Sequence, residues 1–190
     1  MVLDDSYTLF RVDSDTVFKP FDCADDDLND FLLNKSVEYS KEHLASTFVI
    51  ENADITVAYY SIFNDSVNTQ QIDFASKSAA LRFLKNLVSH PKRHLTNYPA
   101  IKIGRLAVTN AIQRSGLGKI IVNSIIDYAI GVNEECACKI ITVDAYTQSL
   151  SFYEKLGFKY FSDNDIDNDT RQMYLNLTPI ISASEENPVA

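Results

Sequence analysis

The segment from Ala100 to Ala129 constrains this chain more than any other. Ala100 to Val108 is a run of strand formers, and Leu117 to Ala129 carries Leu117, Ile120, Ile121, Ile125 and Tyr128 at helical spacing, with Gly131 beyond it as a stop. Between them, Gln113-Arg114-Ser115-Gly116-Leu117-Gly118 sets two glycines two apart at a strand-to-helix junction. Backbone bare of side chains at the positive end of a helix lets successive N–H groups converge on one anion, so the junction predicts a phosphate cradle. Taken alone, the glycine pair fits an ordinary tight turn equally well. Two other cradles are excluded by spacing. Ile121 stands where the third glycine of G-x-G-x-x-G belongs, and no G-x-x-x-x-G-K-[ST] run follows.

The elements around this junction are mixed. Tyr7 to Val12 reads as a first strand. Asp25, Asp26 and Asp27 favour a helix start, and Leu28, Phe31, Leu32 and Tyr39 recur at helical spacing, so a helix is expected over Asp26 to Lys41. Ser46 to Glu51 and Ile55 to Phe63 flank the turn-prone Asn52-Ala53-Asp54 as a strand hairpin, and Ser78 to Val88 is helical through Leu81, Leu84, Leu87 and Val88. Lys139 to Ala145 is a buried strand. Thr147 is placed to cap a short helix that turns Leu150, Tyr153 and Leu156 inward and stops at Gly157. Phe158 to Phe161 and Met173 to Leu177 form a hairpin around an acidic loop. The expectation is a single α/β (α+β) domain over residues 1–180, with a mixed, mostly antiparallel sheet flanked by helices, and a polar, frayed tail over 181–190.

Composition narrows the function. With 46% hydrophobic residues in 190 the chain buries a real core, which excludes disorder throughout. Its formal charge of −9 is a poor match to a phosphate backbone, so nucleic-acid binding would need a locally basic face. Arg82, Lys85, Lys92, Arg93, Lys102 and Arg105 are the cations gathered in sequence for such a face. Three cysteines, Cys23, Cys136 and Cys138, are too few for a disulfide scaffold, and the Cys136-x-Cys138 pair reads as buried thiols. With neither a leader-like N-terminus nor an 18-residue apolar run, a cytoplasmic location away from membranes is expected. His90 and His94 flank Pro91-Lys92-Arg93 without acidic or thiol ligands nearby, so a solvated loop is favoured over a metal site.

At Gln113, Gly116 and Gly118 the sequence resembles the GNAT superfamily of N-acetyltransferases, whose acetyl-CoA loop reads Gln/Arg-x-x-Gly-x-Gly/Ala. Ser151-Phe152-Tyr153-Glu154-Lys155-Leu156-Gly157-Phe158 resembles that family's second signature, in the right order. Phe21-Asp22-Cys23, Leu28-Asn29-Asp30-Phe31-Leu32, Ser46-Thr47-Phe48-Val49, Gly104-Arg105-Leu106-Ala107-Val108 and Val143-Asp144-Ala145 are similar to a toxin-like branch of it. The resemblance implies acetyl-CoA as co-substrate, no metal, and transfer of acetyl to a primary amine by direct attack in a ternary complex. For the toxin-like branch it implies a homodimer, aminoacyl-tRNA as acceptor and a small ribbon-helix-helix antitoxin. A metabolic or protein N-acetyltransferase and a non-catalytic acyl-CoA-binding module are the alternatives. The acidic balance departs from those basic toxins.

The resemblance also distributes roles. Leu106, Ala107 and Val108 would offer main-chain groups to the pantetheine arm. Arg114, Ser115, Gly116, Leu117, Gly118 and Lys119 would hold the pyrophosphate, with Gln113 at the head of the loop. Tyr153 would donate a proton to the leaving sulfur, because a phenol of pKa about 10 is protonated at pH 7. Its alternative is a core aromatic packed with Leu150 and Leu156. No acidic residue lies in Ile101 to Val108 to act as base. That absence favours an α-amine, whose pKa of about 7.7–8.0 leaves it substantially neutral at pH 7 to 8, over a lysine side chain. Asp144 is the remaining candidate base, and a strand-end structural role competes for it.

Overall fold

The computed structural model describes residues 6–88 and 95–186. Seven strands follow the order β1-β2-β3-β4-β5-β7-β6 in a mostly antiparallel sheet. The residues gather into two compact units, one from positions up to 63 and 103–125, the other from 64–102 and 126 onward.

In the first unit, β1 (Thr8–Arg11) pairs with β2 (Ser46–Glu51), which pairs with β3 (Thr56–Asn68), whose far end lies in the second unit. The expected Asp26–Lys41 helix is present but is not uniform. Asp25 caps α1 (Asp26–Asp30) by accepting the Leu28 amide; a wide π turn occupies Phe31–Lys35, and α2 (Ser36–Lys41) completes it. Ser36 donates its hydroxyl to the Leu32 carbonyl at 2.6 Å. Both Phe31 and Leu32 are buried, and with Val12, Phe21, Val49, Tyr59 and Ala107 they make this unit's core. The second half of β4 (Asn97–Val108) and the start of α4 (Leu117–Val132) complete it. Leu117, Ile121, Val122 and Ile125 are buried on α4, each worth about 1.5–3 kcal/mol of transfer free energy. Tyr128, expected in that stripe, is exposed, and Gly131 lies within the helix rather than stopping it.

In the second unit, Ser76 caps α3 (Lys77–Leu87) through the Ala79 amide. Phe83 and Leu87 face its core with Val67, Tyr98, Ala100, Ile140 and Tyr174, whereas Leu81 is exposed. β5 (Ile140–Tyr146) runs antiparallel to β7 (Thr170–Asn176), with Ile140 opposite Asn176 and Tyr146 opposite Thr170. Between them lie a 3₁₀ turn at Thr147–Ser149, α5 (Leu150–Lys155) and β6 (Lys159–Tyr160). Thr147 is not the cap expected of it. Its hydroxyl donates to the Asp169 carbonyl, 22 residues further along the chain, instead. Gly157 does end α5, at φ +89°, with its amide on the Glu154 carbonyl. Beyond β7, α6 (Thr178–Glu186) takes up the first part of the stretch expected to fray.

Candidate active site

Site construction begins at the end of β4. The Thr109 amide donates to the Val57 carbonyl, while the Thr109 hydroxyl and the Asn110 amide both donate to the Asp22 carbonyl. The Asp22 carboxylate accepts from the Ala24 amide and from the side-chain amides of Asn29 and Asn110. Those donors, the Ala24 amide first and the Asn29 amide second, hold the Asp22 carboxyl below its ordinary pKa. Phe21-Asp22-Cys23 is therefore a brace for the loop that follows β4. The sequence displayed this triplet only as a likeness, because the partner, Asn110, lies 88 residues away.

Gln113 closes the same brace. Its amide nitrogen donates to the carbonyls of Cys23 and Val108 at 3.1 and 3.2 Å and to Asn110 Oδ1 at 3.2 Å. The head of the loop is thus spent on the chain's own backbone, which fixes where the next residues point.

Those next residues form the cradle. Arg114 has φ +63° and Gly116 φ +92°, two left-handed positions separated by Ser115. Arginine pays for that conformation in strain, and strain held in a surface loop signals a demanded shape. Ser115 donates its amide to the Ile112 carbonyl, and its Oγ accepts from the Leu117 amide at 3.4 Å. Among the described residues, the amides of Gly116, Gly118 and Lys119 have no acceptor, and a Cβ built on Gly116 meets nothing within 4 Å. Unspent N–H groups, open space and the positive end of a 16-residue helix together fit a pyrophosphate. Arg114 and Lys119 are exposed beside them, and Leu106, Ala107 and Val108 end the strand in the same unit.

Tyr153 belongs to the second unit. It is 5% exposed, packed edge-on against Phe152 and Phe158 at 5.0 and 5.3 Å between ring centres. Burial pushes its phenol well above the ordinary tyrosine range, and its hydroxyl has no hydrogen-bond partner among the described residues. Of its expected companions, Leu150 and Leu156 are only half-buried.

Other sequence candidates fall elsewhere. Asp144 is bound to Lys102 at 2.6 Å, which occupies both the candidate base and one cation of the expected basic face. Arg105 lies over the Phe31 ring. Lys92, Arg93, His90 and His94 lie outside the described residues. Cys136 is exposed, contrary to the expectation for that pair; Cys138 is buried, and desolvation raises its thiol pKa. Among the described residues no group of three or more His, Cys, Asp or Glu converges, and no helix is long and apolar enough to cross a membrane.

Residues 38–174 match the acetyltransferase (GNAT) domain family, and the chain belongs to that family of acetyl-CoA-dependent acetyltransferases. Solved structures share its fold over nearly the whole length. A bacterial toxin is 14% identical, with 97% of this chain and 98% of that chain covered and a TM-score of 0.77. AtaT complexed with acetyl-methionyl-tRNAfMet is 18% identical, with 93% and 98% covered and a TM-score of 0.74. AtaTR bound with acetyl-CoA is 19% identical, with 95% and 99% covered and a TM-score of 0.73.

Proposed function

We propose that this acetyltransferase transfers acetyl to a primary amine by direct attack in a ternary complex, and that the amine is the α-amine of an aminoacyl-tRNA. The observation that carries the transfer reading is the cradle: three unspent amides and an open glycine at the head of α4. The amides of Gly116, Gly118 and Lys119 hold the pyrophosphate, with Arg114 and Lys119 adding charge. Ser115 and Leu117 fix the loop, and Gln113 positions it from behind. Main-chain groups of Leu106, Ala107 and Val108 orient the acyl arm, where backbone donors offset charge developing on the carbonyl oxygen.

Bound acetyl-CoA supplies an activated acetyl thioester. The acceptor nitrogen forms the new C–N bond as the C–S bond breaks, and Tyr153 gives its proton to the departing sulfur. An α-amine is substantially neutral at pH 7 to 8 and so attacks without a dedicated base; the proton its nitrogen sheds on forming the amide leaves to solvent, and solvent returns one to the Tyr153 phenolate. Asp144, tied to Lys102, is not assigned the base role.

The acceptor reading is supported by fold neighbours named as toxins, one of them holding an acetylated initiator tRNA. Structures among the fold neighbours include a toxin bound to its antitoxin; by the resemblance of the sequence to the toxin-like branch, the partners here would be a ribbon-helix-helix antitoxin and a second copy of the chain, in the cytoplasm. The test incubates the chain with labelled acetyl-CoA and total charged tRNA, in parallel with amines, polyamines and peptides. Label on tRNA is the expected result. Label on small amines or peptides alone would leave a general N-acetyltransferase, and no turnover with any acceptor would leave a non-catalytic acyl-CoA-binding module.

A further inference from the structure

A cation withdrawn from water is costly unless something replaces its hydration, so this chain's buried and half-buried cations are informative. Lys19 lies 3.6 Å from Glu51, Lys102 2.6 Å from Asp144 and Arg171 2.9 Å from Asp165, while Lys139 donates to the Thr178 hydroxyl. Arg105 is half-buried too and differs from all of them. Among the described residues it has neither a carboxylate in ion-pair range nor a hydrogen bond. The chain carries 26 acidic residues, and none of those among the described residues pairs with it.

What Arg105 has is a platform. Its guanidinium carbon sits 3.6 Å from the centre of the Phe31 ring and 5.9 Å from that of Tyr39. Phe31 is itself held by Tyr59, stacked at 6.2 Å, and by Tyr39, edge-on at 5.2 Å. It rides on the π turn, the kind of helical irregularity that recurs at functional sites. Ring contact immobilises one flat face of the guanidinium and leaves its N–H edges unspent. That fork matches phosphate or carboxylate in two parallel hydrogen bonds.

Position says which molecule brings the anion. Strand alternation puts Arg105 on the same face of β4 as Ala107, which packs with Phe31 in one core, and on the opposite face from Leu106 and Val108. The cradle for the pyrophosphate lies beyond the end of this strand, after Asn110–Ile112. We propose that Arg105, stacked on Phe31, binds an anionic group, phosphate or carboxylate, carried by the amine acceptor. This rests on the acetyl-transfer reading above, though not on which amine is the acceptor, and adds the residue that reads the acceptor's anion.

The test compares Arg105→Gln and Arg105→Lys with wild type on matched acceptors. Phosphate is probed with 3′-aminoacyl-adenosine with and without a 5′-phosphate, and carboxylate with lysine against lysine amide. In Arg105→Gln the ratio of kcat/KM for the anionic over the neutral member of one pair should fall at least about tenfold, as expected for a hydrogen bond to a charged group. Arg105→Lys should restore part of it, because it returns the charge without the fork. Equal loss on both members of each pair, or no loss, overturns the proposal. Independently of turnover, inorganic phosphate or acetate titrated into the CoA-loaded chain should shift the Arg105 Nε–H NMR resonance saturably. If wild type acetylates nothing, the transfer reading fails alone and this titration decides; an Arg105 signal indifferent to both anions overturns the proposal.

Discussion

Gly116→Ala separates the loop's conformational demand from its proposed ligand. At φ +92° an alanine is strained, and because a Cβ there meets nothing within 4 Å, strain is the whole cost to the free protein. That cost is about 1–2 kcal/mol. For a chain of this size it lowers Tm by roughly 2–8 °C, which leaves a folded protein to assay. Bound acetyl-CoA adds a second cost, since the methyl enters the open space beside the unspent amides. Losing one charge-assisted hydrogen bond to the pyrophosphate costs about 1.5–3 kcal/mol, so Kd should rise by about ten- to 150-fold. Gly157→Ala is the control. It has φ +89° and an ordinary 3.5 Å contact to Leu175, so it carries the same strain and is not one of the cradle residues. Calorimetry of acetyl-CoA binding and thermal melts on both variants give the readout. A Gly116→Ala protein with the expected Tm loss and an unchanged Kd would refute the cradle.

Three further outcomes follow from the geometry. Tyr153→Phe should keep acetyl-CoA affinity and lower turnover by about 10²-fold or more; because burial raises the phenol's pKa above 10, the wild-type to mutant rate ratio should stay level from pH 7 to about 9.5, and a ratio collapsing between pH 8 and 9 would deny Tyr153 the donor role. Asp22 has a lowered pKa, so its stabilisation is present above the unfolded value of about 3.9 and lost as pH falls through the folded one; the Tm gap between wild type and Asp22→Ala should be full at pH 6 and shrink below about pH 4, and a gap independent of pH would show that the carboxylate's charge is irrelevant. In Gly104→Ala the new methyl would lie 2.7 Å from Phe63 Cε1, an overpacking worth about 1–3 kcal/mol, and Phe63→Leu in the same chain should recover part of the lost Tm.

The parts of this molecule that sequence revealed are those with short-range causes. The β2–β3 hairpin follows from Asn52, whose Oδ1 takes the Asp54 and Ile55 amides, and the α5 stop follows from Gly157. Gly116 was readable because its left-handed backbone, at φ +92°, favours glycine. What escaped depends on distant partners. Nothing local in Phe31-Leu32-Leu33-Asn34-Lys35 announces a π turn, which forms with Ser36 bonded back to Leu32 and both aromatic and aliphatic side chains turned into one core. The role of Gln113 was legible as a family position but not as a hydrogen-bond hub, since Cys23 is 90 residues away. Thr147 failed as a cap because its hydroxyl found a better acceptor across the hairpin at Asp169.

Net charge says less than placement about what an acidic chain can bind. A formal −9 argues against a polyanion only if the charges are felt together, yet at physiological salt each is screened beyond about 8 Å. What matters is which cations are already neutralised. Lys102 is spent on Asp144, and Arg171 is enclosed by Asp163 and Asp165. Arg82 and Lys85 stand exposed on α3 without a carboxylate partner among the described residues, and Arg105 rests on an aromatic ring with its donors unspent. An acidic chain that leaves a half-buried guanidinium unpaired forgoes an internal ion pair that many of its own carboxylates would have supplied. The stack on Phe31 offsets part of that loss, and the unspent N–H donors gain more when an external anion arrives, so the acceptor's charge, rather than the chain's, is the quantity to measure next.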